Sequence, residues 1–124
     1  MVEQGATTIW ENWEAVKPDG TTMPSSFNHY ALGSVGDFIY RRIGGICIED
    51  AGYRSIRFSP GIHCGLSFAE CEVETAYGTA SCSWRWEKGE CEVSLTIPFG
   101  CEAVFSLESG TEALNSGTHR FRIR

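Results

Sequence analysis

Near Gly52 the spacing of apolar residues changes from about 3.6 to 2, which splits the chain into a helical stretch and a β-rich remainder. After that point Ile56 and Phe58 share one face, and Ser59-Pro60-Gly61 ends the run. Leu66 and Phe68 lie on one face of the next segment, with Ala69, Cys71 and Val73 on the other. Ala80, Cys82, Trp84 and Trp86 alternate with Ser81, Ser83, Arg85 and Glu87, the pattern of a half-buried strand. Glu87-Lys88-Gly89-Glu90 is a hairpin turn with Gly where a positive φ is needed. Cys91, Val93, Leu95 and Ile97 alternate next, then Cys101, Ala103, Phe105 and Leu107 beyond the stop at Pro98-Phe99-Gly100. Ser109 to Gly117 reads as a polar loop, after which His119, Phe121 and Ile123 alternate with Arg120, Arg122 and Arg124. About six short strands separated by turn residues imply a mainly β chain, an antiparallel β-sandwich of jelly-roll-like form.

Before the sandwich comes one helix, read over residues 29–43. Leu32, Val35, Phe38, Ile39 and Ile43 recur at three- and four-residue spacing, while Asp37, Arg41 and Arg42 take other faces. Ser26 or Asn28 can cap its start and Gly44-Gly45 ends it. Gly33 and Gly36 weaken the helix, so their expected use is close approach of another backbone. Residues 1–28 have little periodicity and read as a long loop, with turn signals at Lys17-Pro18-Asp19-Gly20 and Met23-Pro24.

Charge narrows the partners. Sixteen acidic against ten basic residues give a net charge of −6, the wrong sign for nucleic acid or an anionic membrane. The arginines at 120, 122 and 124 share one strand face and read as a solvated edge. No apolar stretch approaches membrane-spanning length, and Met1-Val2-Glu3-Gln4 does not open a signal peptide. The six cysteines contain no Cys-x-x-Cys pair, so neither a zinc ribbon nor any other metal site is expected, and no cofactor motif is visible. Their parity puts most of them on core faces, as free thiols in a reduced cytoplasm; a disulfide framework is the other reading of an even count. Trp84 and Trp86 read as core rather than as a sugar-stacking platform, and His63 and His119 as structural.

The candidate chemistry lies in Trp10-Glu11-Asn12-Trp13 and in His29. Indoles offer flat faces that stack on sugar rings, and a carboxylate held between two of them would be partly desolvated, as acid–base catalysis favours. The plainer reading is a hydrophobic anchor with one solvated charge.

The stretches Gly5-Ala6-Thr7-Thr8-Ile9-Trp10-Glu11-Asn12-Trp13, Ser26-Phe27-Asn28-His29-Tyr30-Ala31-Leu32-Gly33-Ser34-Val35-Gly36, Tyr40-Arg41-Arg42-Ile43-Gly44-Gly45 and Ala51-Gly52-Tyr53 come in order ahead of a β-rich tail. Together they resemble the C-terminal end of a bacterial α-L-rhamnosidase, an inverting glycoside hydrolase several times longer than this chain. The resemblance implies that residues 1–45 are a remnant of the α/α-barrel catalytic domain, ending in its last helix, and that 46–124 form the terminal β-sandwich domain. It also implies that Glu11 matches the general base that activates water, that His29 contacts sugar, and that Trp10 and Trp13 line the sugar pocket. The family's general acid lies far upstream and nothing here matches it, so the chain alone is expected to be inactive on its carbohydrate partner, a rhamnoside. Without the barrel, one or both of Trp10 and Trp13 should become core or exposed patch. His29 is equally readable as a helix-terminal residue bonded to backbone. Two alternatives stand beside the enzyme fragment: a non-catalytic sugar-binding sandwich, and a structural module that dimerises through the exposed helix face.

Overall fold

A computed structural model describes all residues 1–124. The chain forms two compact units, Met1–Asp37 and Phe38–Arg124.

In the first unit, the stretch read as a loop folds back on itself as an irregular ribbon. Lys17 N–H donates to Thr21 O at 2.8 Å, Met23 N–H to Ala15 O at 2.9 Å, Glu11 N–H to Ser26 O at 2.8 Å and His29 N–H to Ile9 O at 2.8 Å. The turn that reverses the chain is the expected one at Lys17-Pro18-Asp19-Gly20, closed by Gly20 N–H to Lys17 O at 2.9 Å. Asp19 takes both the N–H and the hydroxyl of Thr21, and these hydrogen bonds hold its carboxyl below the usual value. Ala15 and Trp10 are the buried residues of this unit.

The second unit is a mainly β sandwich. Its strands are β1 (Ile46–Ile48), β2 (Ser55–Phe58), β3 (Phe68–Thr75), β4 (Gly78–Glu87), β5 (Glu90–Ile97), β6 (Glu102–Leu107), β7 (Gly110–Leu114) and β8 (Gly117–Ile123). One sheet has the order β1-β2-β6-β7 and the other β3-β4-β5-β8. Ile56, Phe58, Ala103, Phe105 and Leu114 of the first sheet meet Ala80, Cys82, Trp84, Cys91, Val93, Leu95 and Ile97 of the second in one buried cluster. Phe105 and Phe121 stack across the sheets with centroids 4.4 Å apart. Burial of apolar surface at about 25 cal/mol per Å² holds these faces together.

Eight strands form rather than about six. β1 is only three residues long, too short for alternation to register. The expected polar loop at 109–117 is in fact β7 and the start of β8: β7 is an edge strand, exposed along Gly110–Ala113 with only Leu114 buried. The sheets are antiparallel except that β2 and β6 run parallel. Between those two strands the chain makes three strands of the other sheet, the kind of long crossover a parallel pair requires.

Helical structure covers Tyr30–Gly44 but not as one regular helix: a 3₁₀ turn at Tyr30–Ser34 leads into an α turn at Val35–Phe38 and a π turn at Ile39–Gly44. The start is capped by His29, whose side chain accepts from Ala31 N–H, and not by Ser26 or Asn28. Gly33 and Gly36 have nothing within 4 Å of a Cβ position, so the expected close approach does not occur there. It occurs at the other end. A Cβ on Gly45, at φ 84°, would sit 2.3 Å from the Pro60 backbone, and one on Gly44 2.6 Å from Cys71 Cβ. Through this contact Ser59 N–H reaches Gly45 O at 2.7 Å and Gly61 N–H reaches Ile43 O at 3.2 Å. Trp84 Nε1–H donates to Ile43 O at 3.0 Å, and Trp86 Nε1–H to Ile62 O at 2.6 Å. Both indoles are therefore core anchors, as their alternation implies.

No cysteine is in a disulfide: Cys82, Cys91 and Cys101 are buried, Cys47 and Cys71 half-buried, and Cys64 exposed. Cys64 departs from the core-face pattern because it lies in the loop between β2 and β3, where parity does not apply.

Candidate functional site

The ribbon of the first unit carries all four candidate residues. One arm holds Trp10, Glu11 and Trp13; the other holds Ser25 to His29. Four links join the arms around Glu11. Thr8 Oγ1 donates to Phe27 O, His29 N–H to Ile9 O, Glu11 N–H to Ser26 O, and Asn12 Nδ2 to Ser25 Oγ at 3.2 Å. Glu11 and His29, eighteen positions apart in sequence, thus sit on facing arms of one short ribbon.

The Glu11 carboxylate is exposed and oriented. Its Oε2 accepts from Ser26 N–H at 3.0 Å, which leaves Oε1 to accept from another donor. A backbone amide aimed at a carboxylate fixes its direction without removing its charge. The expected sandwich between two indoles does not form. Trp10 is 6% exposed, and its ring meets Phe27 edge-on at 5.3 Å and 75°, so it anchors the ribbon. Trp13 is 73% exposed and presents its ring to solvent. One indole is therefore core and the other lies exposed.

His29 fits the backbone-bonded reading and leaves room for the other. Nδ1 accepts from Ala31 N–H at 3.3 Å, so in the neutral ring Nε2 carries the proton and is the free donor. Tyr30, which the reading of residue types passed over, stacks on His29 with centroids 5.7 Å apart and planes 1° from parallel. It is 90% exposed. Ser26 was also missed as a functional position, because its part is played by a backbone N–H that residue identity does not encode. No group of three or more His, Cys, Asp or Glu side chains is placed to hold a metal ion.

The second unit has hollows of its own. One of about 920 Å³ is lined by Arg41, Arg57, His63, Cys64 and Glu108 among others. In it Arg57 Nε donates to Glu49; that bond, with the attraction between the two charges, lowers the carboxyl's pKa and raises the guanidinium's. His63 packs against Trp86 at 5.8 Å, and His119 Nε2 lies 2.8 Å from Asn115 O. Arg122 and Arg124 pair with Glu92 and Glu90 at 2.9 and 2.7 Å. No helix is long and apolar enough to cross a membrane.

Residues 45–122 match the family model for the bacterial α-L-rhamnosidase C-terminal domain, and residues 1–43 that for the bacterial α-L-rhamnosidase six-hairpin glycosidase domain. The chain is 35% identical over 100 residues to an α-L-rhamnosidase of Streptomyces avermitilis, covering 78% of this chain and 10% of that one. It is 35% identical over 124 residues to an α-L-rhamnosidase of Formosa agariphila, covering 97% of this chain and 13% of that one. The crystal structure of Streptomyces avermitilis α-L-rhamnosidase complexed with L-rhamnose superposes with a TM-score of 0.82 at 29% identity, over 99% of this chain and 14% of that one. The chain spans 10% and 13% of the length of the two sequence relatives. On the match of residues 45–122, the chain belongs to the bacterial α-L-rhamnosidase family of glycoside hydrolases, as a C-terminal segment of such an enzyme.

Proposed function

We propose that this chain supplies one half of the active site of an inverting α-L-rhamnosidase, with Glu11 as the general base that activates water. The observation that carries this reading is the Ser26 N–H bond to Glu11 Oε2, which aims the carboxylate and leaves Oε1 for a water proton. His29 offers Nε2–H to a sugar hydroxyl, and Trp13 offers an open ring face. Inversion also requires a carboxylic acid about 6.5–9.5 Å from the base, across the scissile bond. Asp19 is engaged by Thr21 at the ribbon's turn. Glu14 lies on the same arm as Glu11. The family resemblance implies an acid in the upstream part of such an enzyme, and on this reading the chain alone turns nothing over. Its free thiols support a reducing cytoplasmic setting.

The test is a chimera in which this chain replaces the matching end of the Streptomyces avermitilis enzyme, assayed on p-nitrophenyl α-L-rhamnopyranoside. The chimera should hydrolyse it and the 124-residue chain should not. Glu11→Gln should lower kcat by about 10²–10⁴-fold with little change in KM. Unchanged turnover in that variant would move the base elsewhere, and a folded but inactive chimera would sink the reading.

A second reading concerns the chain by itself. Phe38 and Ile39 of the helical segment are about half exposed, so a dimer formed through these residues is the alternative to cover from upstream helices.

A further inference from the structure

We infer that the outer face of the β3-β4-β5-β8 sheet is a binding site for a neutral oligosaccharide. The site lies wholly within the second unit and needs neither Glu11 nor His29. Its floor is set by register. Glu70 pairs with Ser83, Ser83 with Ser94 and Ser94 with Arg120, so one row of outward side chains crosses all four strands. The row spans about 14 Å, three interstrand steps of about 4.8 Å. It has a carboxylate at one end, a guanidinium at the other and two small hydroxyls between. Beside it runs a second row, Glu72, Ser81, Thr96 and Thr118, again with hydroxyls in the middle.

On the other side the row Phe68, Arg85, Glu92 and Arg122 stands taller and is internally engaged. The Arg85 guanidinium lies 4.5 Å from the Phe68 ring centroid, and Arg122 reaches Glu92 at 2.9 Å. Arg85, Glu92 and Arg122 of this row wall a hollow of about 710 Å³ over the serines. That volume lies within the usual range for a small-molecule site, about 300–1,000 Å³.

What remains unengaged identifies the ligand. Glu70, Ser83, Ser94 and Arg120 make no side-chain hydrogen bond or ion pair within the protein, so a carboxylate, a guanidinium and two hydroxyls converge on the hollow with their capacity unspent. Two carboxylates, Glu70 and Glu92, against three guanidinium groups, Arg85, Arg120 and Arg122, give too little net charge to favour a polyanion. The outward floor residues carry no aliphatic side chain, and the apolar residues beneath them, Trp84, Val93 and Phe121, are already packed in the core, so a hydrophobic peptide or helix has little to bury. A flat molecule dense in vicinal hydroxyls meets all four groups, because carboxylate and guanidinium each present two hydrogen-bonding positions in one plane.

The experiment is a ¹H–¹⁵N NMR titration of the 124-residue chain with rutinose and with cellotetraose at millimolar concentrations. Saturable shifts should map to the outward residues of β3, β4, β5 and β8 for at least one of the two. Arg120→Ala and Glu70→Ala, both at exposed positions, should each raise Kd about tenfold or more, the loss of a hydrogen bond to a charged group. Glu112→Ala on the opposite sheet should leave Kd unchanged, and so should Glu11→Gln, which separates this site from the proposed catalytic half-site. Three outcomes overturn the inference: no saturable shift with either sugar, shifts confined to residues 8–30, or wild-type affinity in Arg120→Ala. A stronger response to a sulfated oligosaccharide, enhanced by Glu70→Ala, would also overturn it by making the ligand a polyanion.

Discussion

Cys82 has no accessible surface, and burial, with smaller contributions from Cys71 and Cys91, pushes its thiol well above the ordinary value. Burial likewise raises Cys71, Cys91 and Cys101. The folded chain therefore keeps protons that the unfolded chain loses above about pH 8.5, the ordinary thiol value. Below that pH these groups add no slope; above it, stability falls as pH rises. Cys82 alone should contribute a fall of about 1.4 kcal/mol per pH unit. Urea midpoints at pH 7.5 and 10 should differ more for the wild type than for Cys82→Ala, and equal differences would show that the thiol titrates alike in both states. The burial of Cys82 was legible from its place between Ala80 and Trp84. The place of Glu11 was only half legible: its type and its neighbours suggested chemistry, but the Ser26 amide that orients it is a backbone group fifteen positions away.

At the level of elements, the helical segment ends where glycine permits contact rather than where periodicity fades. Gly45 at φ 84°, packed against the Pro60 backbone, lets the π turn at Ile39–Gly44 dock on the β2–β3 connection. Gly45→Ala should cost about 2 kcal/mol or more, because the left-handed backbone and the 2.3 Å approach both resist a methyl group. Gly33→Ala should instead stabilise by about 0.5–1 kcal/mol, since nothing lies within 4 Å of that Cβ position. Denaturant midpoints of the two variants against wild type check both signs. The four strands with clean alternation, β4, β5, β6 and β8, were readable because one face of each is buried or, in β8, half-buried. β1 and β7 were not: a three-residue strand and an exposed edge leave no period to detect.

For the whole molecule, the exposed apolar residues of the helical segment carry the expectation. Phe38 and Ile39 are 56% and 47% exposed, and residues of this kind on a solvated face favour association. Sedimentation of the 124-residue chain should show a mass that rises with concentration, and Phe38→Asp should return it to monomer. A constant monomeric mass would remove the dimer reading. The sequence by itself determined the mainly β sandwich, the helical stretch before it, the inward-facing tryptophans of β4 and the family, because periodicity, turn residues and ordered motifs are properties of neighbouring positions. Only the tertiary structure decided the parallel pairing of β2 with β6, the fate of each indole around Glu11, and the row from Glu70 to Arg120. Each of these depends on which distant backbones meet, and register between strands is fixed by packing and hydrogen bonding across the sheet rather than by any single segment.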